Sequence, residues 1–189
     1  MNIIAGLARG VELSVPPGIP VRPTAGRVRK ALFDSLGDLT GIDVLDICAG
    51  SGALALEALS RNAASAALVE ISQEHIAVIN ENIRRVRSAG VDNPAWVIQC
   101  DAVKCENYLP RLHHVPGIIF ADPPYAESPE IFAKLFFDPY FRKSMAGAEL
   151  IWEIPDHPGA AGEFLRQMKS IKNFNLRRFA GTMFLMVRV

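Results

Sequence analysis

The run Phe120-Ala121-Asp122-Pro123-Pro124-Tyr125 closes an apolar stretch (Ile118, Ile119, Phe120) with a carboxylate, two prolines and an aromatic ring. Proline donates no backbone hydrogen bond and fixes its own φ at about −65°. It also pushes the preceding residue towards extended backbone. The strand therefore ends here and leaves as a stiff turn. An acceptor, a rigid turn and a ring, in that order, suit methyl transfer to the exocyclic amine of a nucleobase. Such an amine is a poor nucleophile because its lone pair is delocalised into the ring. Hydrogen bonds from its two N–H groups to the Asp122 carboxylate and the Pro123 carbonyl would localise that lone pair. Pro124 stiffens the turn, and Tyr125 can stack on the base. This is catalysis by positioning and by interactions that strengthen in the transition state. A paired base cannot reach such a pocket, so the target must be unpaired or flipped out. The same four residues taken alone also fit a strand-ending turn with no chemistry.

Three further acids follow other apolar runs. Asp46 closes Ile42-Asp43-Val44-Leu45 and leads into Cys48-Ala49-Gly50-Ser51-Gly52. Gly50-x-Gly52-x-x-Ala55, with Glu70 twenty residues after Gly50, fits the dinucleotide fingerprint. Asp46, four residues before the first glycine, would repel a pyrophosphate and suits a cationic amino-acid ligand. S-adenosylmethionine has that ammonium, no phosphate, and a ribose whose two hydroxyls Glu70 can grip. Asp101, in Cys100-Asp101-Ala102, is placed to accept from the adenine amine. Each acid alone reads equally as a helix cap. Three at the ends of successive strands line one crevice, where open parallel sheets bind ligands. An NAD-dependent oxidoreductase is the competing reading of the glycine loop. It lacks an evident proton donor, since neither His113 nor His114 adjoins a strand end.

The elements that must position these residues alternate. Apolar strands are expected at 42–47, 66–71, 95–100, 117–122 and 148–154, with helices between them. Ser72 is the expected cap of the helix after the second strand and Gly90 its stop. Further helices are expected around 102–110, from about 129 and from about 160, and Thr24 is the expected cap of a helix running to residue 39. The tail reads as a hairpin turning at Ala180-Gly181. Alternation of this kind predicts an α/β fold: a seven-stranded, mostly parallel sheet with helices on both faces and one antiparallel terminal strand. The Pro-dense stretch 15–23 sets off a β-hairpin extension, residues 1–20, turning near Gly6–Gly10, from a main domain at 21–189.

The chain has 189 residues and no apolar run long enough to span a membrane. We read a soluble, cytoplasmic monomer without secretory signal. Three cysteines lack the spacing of a zinc site or disulfide framework, and adjacent His113 and His114 aim their rings apart, so no metal is expected. Twenty basic residues balance twenty acidic ones, but both ends are locally basic. Arg9, Arg22, Arg27, Arg29 and Lys30 stand against Glu12 alone in the first thirty residues. Six basic residues stand against Glu163 in the last thirty. A polyanion partner or an ordinary solvated surface accounts for this.

The stretches Asp46–Arg61, Leu68–Glu70 and Phe120–Tyr125 resemble the AdoMet-dependent amino-methyltransferases of nucleic acid. With Ile3–Gly6, Arg22–Leu36 and Ala180–Val187 added, the resemblance runs nearly end to end and is close to the RsmD family. That family methylates N2 of one guanine in bacterial 16S rRNA. The block Arg22-Pro23-Thr24-x-x-Arg27-Val28-Arg29-x-Ala31-Leu32-Phe33 is the specific part; the Asp-Pro-Pro-Tyr signature is shared with adenine- and cytosine-modifying enzymes. The resemblance implies a Rossmann-like class I methyltransferase domain. It implies S-adenosyl-L-methionine at Asp46, Cys48, Ala49, Gly50, Ser51, Gly52, Glu70, Ile71, Asp101 and Ala102, with Arg22 and Thr24 near that pocket. It places the target amine at Asp122–Tyr125, and RNA on Arg9, Arg22, Arg27, Arg29 and Lys30. Its substrate is 16S rRNA or a partly assembled small ribosomal subunit. The chain departs from the family at Leu7, Ala8, Val11 and Glu12, where basic and aromatic residues are usual, and at Gly26 and Lys30, where acids are. The same chemistry on DNA adenine, and a non-catalytic RNA-binding assembly factor, are the remaining alternatives.

Overall fold

The computed structural model describes residues 1–16, 23–154, 162, 164, 166–171 and 173–189, with backbone only at 23–25 and 170. Its strands are β1 (Asp43–Ile47), β2 (Ser65–Glu70), β3 (Ala95–Gln99), β4 (Ile118–Ala121), β5 (Glu149–Ile154), β6 (Phe174–Phe179) and β7 (Thr182–Arg188). The helices bounded within the described residues are α1 (Pro23–Leu36), α2 (Ala53–Ser60), α3 (Gln73–Ser88), α4 (Cys105–Tyr108), α5 (Ser128–Phe136) and α6 (Pro139–Ser144). The strands form one sheet in the order β3-β2-β1-β4-β5-β7-β6. β1 to β5 are parallel, and β7 runs antiparallel to both β5 and β6. The predicted seven-stranded Rossmann-like sheet is present, with its antiparallel strand contributed by the C-terminal hairpin.

Alternation along the strands feeds two cores. Val44, Leu68, Phe120, Ile151 and Met186 pack on one face under α1, α2 and α3. Leu45, Val69, Ile119, Trp152 and Leu185 pack on the other under α4, α5 and α6. Both faces are dry, which is why the strands read as nearly continuous apolar runs. The second core is aromatic: Phe132 stacks on Phe136 at 5.1 Å and meets Trp152 edge-on at 5.1 Å. The Trp152 indole nitrogen donates to Ser128 Oγ at 2.9 Å, so this large residue is buried without orphaning its N–H.

Several local expectations shift. α1 begins at Pro23, so Thr24 lies inside the helix rather than ahead of it. Proline is pre-organised for the first helical position, where its missing N–H costs nothing. Ser72 does cap α3, accepting from His75 N at 3.4 Å. Gly90, which follows α3, has φ +95°. The helix expected at 102–110 is one turn (Cys105–Tyr108) followed by a 3-10 turn at Leu109–Arg111. The alternation does not predict α6; the Asp138 carboxylate caps it by accepting from Phe141 N at 2.8 Å. Most of the helix expected from about 160 lies outside the described residues.

The N-terminal segment is held against the sheet-covering helices. Its pairing is one antiparallel bridge, Asn2 with Glu12, rather than a two-stranded ladder. Ile3, Ala8 and Leu13 belong to the first core. The amides of Ile4 and Ala5 donate to the fully buried Glu57 carboxylate of α2 at 2.8 and 3.1 Å. Ser60 Oγ donates to Ala5 O at 2.6 Å and accepts from Ala8 N at 2.9 Å. Gly6 has φ +81°, and a Cβ there would lie 1.6 Å from the Ser60 carbonyl oxygen.

Gly6→Ala should therefore lower the urea stability of the chain by about 2 kcal/mol or more, combining a backbone clash with left-handed strain. Gly10→Ala, at φ +88° with no atom within 4 Å, should cost about 1 kcal/mol. Equal midpoints for the two variants would refute the close approach at Gly6.

Candidate active site

The chain leaves β1 by way of β2 and β3 and returns on the other side of β1 as β4. The C-terminal ends of β1 and β4 are therefore the point where the winding direction reverses, the usual ligand crevice of an open α/β sheet. Parallel register brings the predicted acids to this edge. Asp46 sits opposite Phe120 and Leu68, Ile47 opposite Ala121 and Val69, and Glu70 opposite Gln99. Asp122 and Asp101 each lie just beyond the end of a strand.

Cys48 reports their convergence. It has φ +60°, left-handed for a residue with a Cβ. Its thiol is pushed up to about 12, chiefly by burial and then by the charges of Glu70, Asp46, Asp122 and Asp101. Four carboxylates from four strand ends thus bear on one sulfur. Burial also holds Asp46 well above the usual carboxylate range, and the neighbouring Asp122 and Glu70 charges push the same way. One backbone bond, from Ala55 N at 3.1 Å to Asp46 Oδ2, opposes them. Among the described residues no basic side chain pairs with Asp46. A cation placed here would relieve that repulsion.

The glycine loop is set by backbone geometry. Gly50 and Gly52 have φ +58° and +75°. A Cβ at Gly52 would meet Leu68 Cδ2 at 3.0 Å, whereas one at Gly50 would meet only Cys48 O at 4.0 Å. Gly52 is pressed onto the core, and Gly50 leaves open space above the loop. Glu70 stitches this loop to the sheet: Oε2 accepts from Gly50 N at 2.8 Å, and Oε1 accepts from Ile71 N and Ser72 N at 2.9 Å. Asp101 Oδ1 accepts from Val103 N at 3.1 Å, and Tyr108 OH donates to Ala102 O at 3.1 Å. These bonds hold the turn after β3 in place.

In the Asp-Pro-Pro-Tyr run, Asp122 is exposed, Pro123 buried, Pro124 exposed and Tyr125 half-buried. Tyr125 OH donates to Glu153 Oε1 of β5 at 2.8 Å. Among the described residues the Pro123 carbonyl accepts no hydrogen bond. Sequence reasoning misses Glu153; a lone acid near the end of an apolar strand is its signal. It also misses Asn82 of α3, which nothing in its polar helical context singles out. Asn82 is fully buried, accepts from Ser14 N at 2.8 Å, and donates to Ser14 O and Ser51 O, both at 2.9 Å. One amide thus joins the N-terminal segment to the glycine loop.

The basic residues separate. Arg29 is not a surface contact: it is 5% exposed, donates to Asn2 O and lies 3.5 Å from Glu57. It completes a buried cluster with Arg61, whose Nε donates to Glu57 at 2.9 Å. Lys30 is exposed but paired with Asp34. Arg9 is exposed in the turn by Ser60, the end of α2 away from the glycine loop. Arg27 is exposed with no acidic partner among the described residues. Arg22 and the Thr24 side chain lie outside the described residues.

Because burial raises Asp46 in the folded state, the stability it contributes is complete below its unfolded value, about 3.9, and is lost as pH rises through the folded value. Asp46→Asn keeps an acceptor for Ala55 N and removes the charge. Its urea midpoint, relative to the parent chain, should rise between pH 4 and pH 8. A difference that stays constant or falls over that range would contradict an ionisation penalty at Asp46.

Comparison with known proteins gives this site a setting. The family model described as Conserved hypothetical protein 95 matches residues 1–146. Ribosomal RNA small subunit methyltransferase D of Escherichia coli K12 is 39% identical over 126 residues, which are 66% of this chain and 60% of that protein. The match thus spans less than two thirds of that relative's length. Among solved structures, a hypothetical protein of Thermus thermophilus is 30% identical with a TM-score of 0.72, covering all of this chain and 99% of the other. The putative methyltransferase yhhF from Escherichia coli is 28% identical with a TM-score of 0.67, covering all of this chain and 97% of that one. The chain belongs to the RsmD family.

Proposed function

We propose that this chain transfers a methyl group from S-adenosyl-L-methionine to the exocyclic N2 amine of a guanine in 16S rRNA of the small ribosomal subunit. The observation that carries the reading is the Asp122–Tyr125 run at the switch point, sharing its crevice with Asp46, Glu70 and Asp101. The name of the relative, Ribosomal RNA small subunit methyltransferase D, supports the RNA class.

The residues present fit the cofactor. Open space above Gly50 leaves room for a ligand against the loop backbone. The buried Asp46 carboxylate favours a ligand that brings positive charge. Glu70 Oε2 accepts one bond from Gly50 N and retains capacity for a ribose hydroxyl. Asp101 holds its own turn through Oδ1, leaving Oδ2 for an amine. The same buried acids disfavour a pyrophosphate. The bound cofactor supplies an electrophilic methyl carried on a sulfonium.

Asp122 and the Pro123 carbonyl each accept one N–H of the target amine, which concentrates its lone pair on the side facing the methyl. These bonds strengthen as the nitrogen becomes positive, so they favour the transition state over the ground state. Asp122, already accepting from the amine, then takes the proton the nitrogen must lose. Tyr125 provides the ring on which the base lies, and its hydroxyl bond to Glu153 anchors the far end of that ring.

Tritiated methyl transfer to undermethylated 30S subunits, followed by nucleoside analysis, should yield N2-methylguanosine from 16S rRNA. Label in another nucleoside, or in DNA alone, would overturn the substrate assignment. Asp122→Ala should lower kcat by roughly 10²–10³-fold, the loss typical of removing one transition-state hydrogen-bond partner. Cofactor affinity by calorimetry should stay within a few-fold. Full activity in this variant would refute the mechanism.

A further inference from the structure

Exposed positive charge is not confined to the arginine block. Several basic side chains already have a carboxylate partner within the protein: Lys30 has Asp34, Arg61 has Glu57, Arg84 and Arg85 share Glu81, and Lys134 has Glu130. Arg177 of β6 is different. It is exposed, and among the described residues no carboxylate pairs with it. Its guanidinium lies over the Phe179 ring at 5.2 Å, and Phe179 in turn packs against Phe184 at 5.8 Å.

Sheet register ties Arg177 to the target pocket. Arg177 pairs with Phe184 of β7, and Phe184 pairs with Glu153 of β5. Residues opposite one another in a sheet share a face, so all three project from the face that α1 covers. Arg177 therefore lies two strand spacings, roughly 10 Å, from Glu153. Glu153 is the residue that holds the Tyr125 hydroxyl. α1 packs against β6 on this same face. Arg27 and Arg29 are two residues apart on α1, about 200° around the helix. Arg29 is directed at Glu57 of α2, so Arg27 is directed the other way, towards the β6 side.

We propose that Arg177, together with Arg27, forms a strip that holds the sugar-phosphate backbone of single-stranded RNA flanking the target nucleotide. The inference rests on the RNA reading above and adds its contact surface. Exposed guanidiniums without internal partners are free to exchange counterions for phosphates. Stacking on Phe179 orders the Arg177 head before RNA arrives. The strip runs from β6 towards the ring on which the flipped base lies. It also uses the basic C-terminal hairpin, which the cofactor and catalytic motifs leave without a role.

The test is salt-dependent binding of a single-stranded RNA oligonucleotide, alongside methyl-transfer kinetics on 30S subunits. The double variant Arg27→Gln/Arg177→Gln should reduce the magnitude of the log K–log salt slope by about 1.4, at roughly 0.7 per lost phosphate. It should raise KM for the particle about tenfold, with kcat and cofactor affinity unchanged. Arg177→Lys should keep most of the slope, which loss of packing on Phe179 alone would not. Lys134→Gln, at a residue paired one-to-one with Glu130 at 2.6 Å, should leave slope and KM as they were. An unchanged slope in the double variant, or one that Lys134→Gln lowers equally, would overturn the strip. A parent chain that binds RNA with the expected slope but transfers no methyl group would instead count against the proposed reaction. A parent chain that binds no RNA even at low salt would remove both.

Discussion

Parallel pairing of β1 with both β2 and β4 is the constraint on which the site depends. It aligns strands that are distant in sequence so that all end at one edge. Asp46, Glu70 and Asp122 then come within electrostatic range of one another, with Asp101 close enough to act on the Cys48 thiol. Gathering like charges in a partly dry crevice is unfavourable. The fold holds them there with backbone donors: Ala55 N on Asp46, Gly50, Ile71 and Ser72 N on Glu70, and Val103 N on Asp101. The site is thus loaded with negative charge and fits a cationic cofactor.

The second constraint is the N-terminal clamp. A buried carboxylate at Glu57 and a buried hydroxyl at Ser60 replace the strand partners that residues 4–8 would otherwise need. Arg29 and Arg61 offset the Glu57 charge from the two sides of the same cluster. Residues Ser14, Asn82 and Ser51 extend the clamp to the glycine loop. The segment is therefore part of the scaffold behind the cofactor crevice. Its position also accounts for one departure from the family. Ala8 is fully buried against Ser60, so a large basic or aromatic side chain would not fit there without repacking.

Charge distribution follows the same logic. A local excess of arginine in the sequence divides, once folded, into groups with different roles. Arg29 and Arg61 are internal counterions, while Lys30 and Lys134 are each balanced on the surface by an acid one helical turn away. Surface pairs of that kind contribute little to stability, but they do remove net attraction for a polyanion. What a basic patch can do depends on which charges the protein has not already used.

The sequence by itself determined the alternation of strands and helices, the strand ends and the Asp-Pro-Pro-Tyr turn, because these rest on local properties. Apolar runs of strand length, glycine where φ is positive, and proline where no N–H is needed are all readable within a few residues. The order of the strands is not among these local properties; it is set by which strands pair in the sheet. The tertiary structure alone decided which polar residues face one another. Arg27 and Arg29 look alike in sequence, yet helical geometry sends one to solvent and the other into a buried pair with Glu57. Asn82 bridges segments separated by 68 and 31 residues. Glu153 reaches Tyr125 across 28. Arg177 comes alongside Glu153 only through two strand pairings. Such contacts depend on long-range register and helix rotation, which no short stretch of sequence encodes.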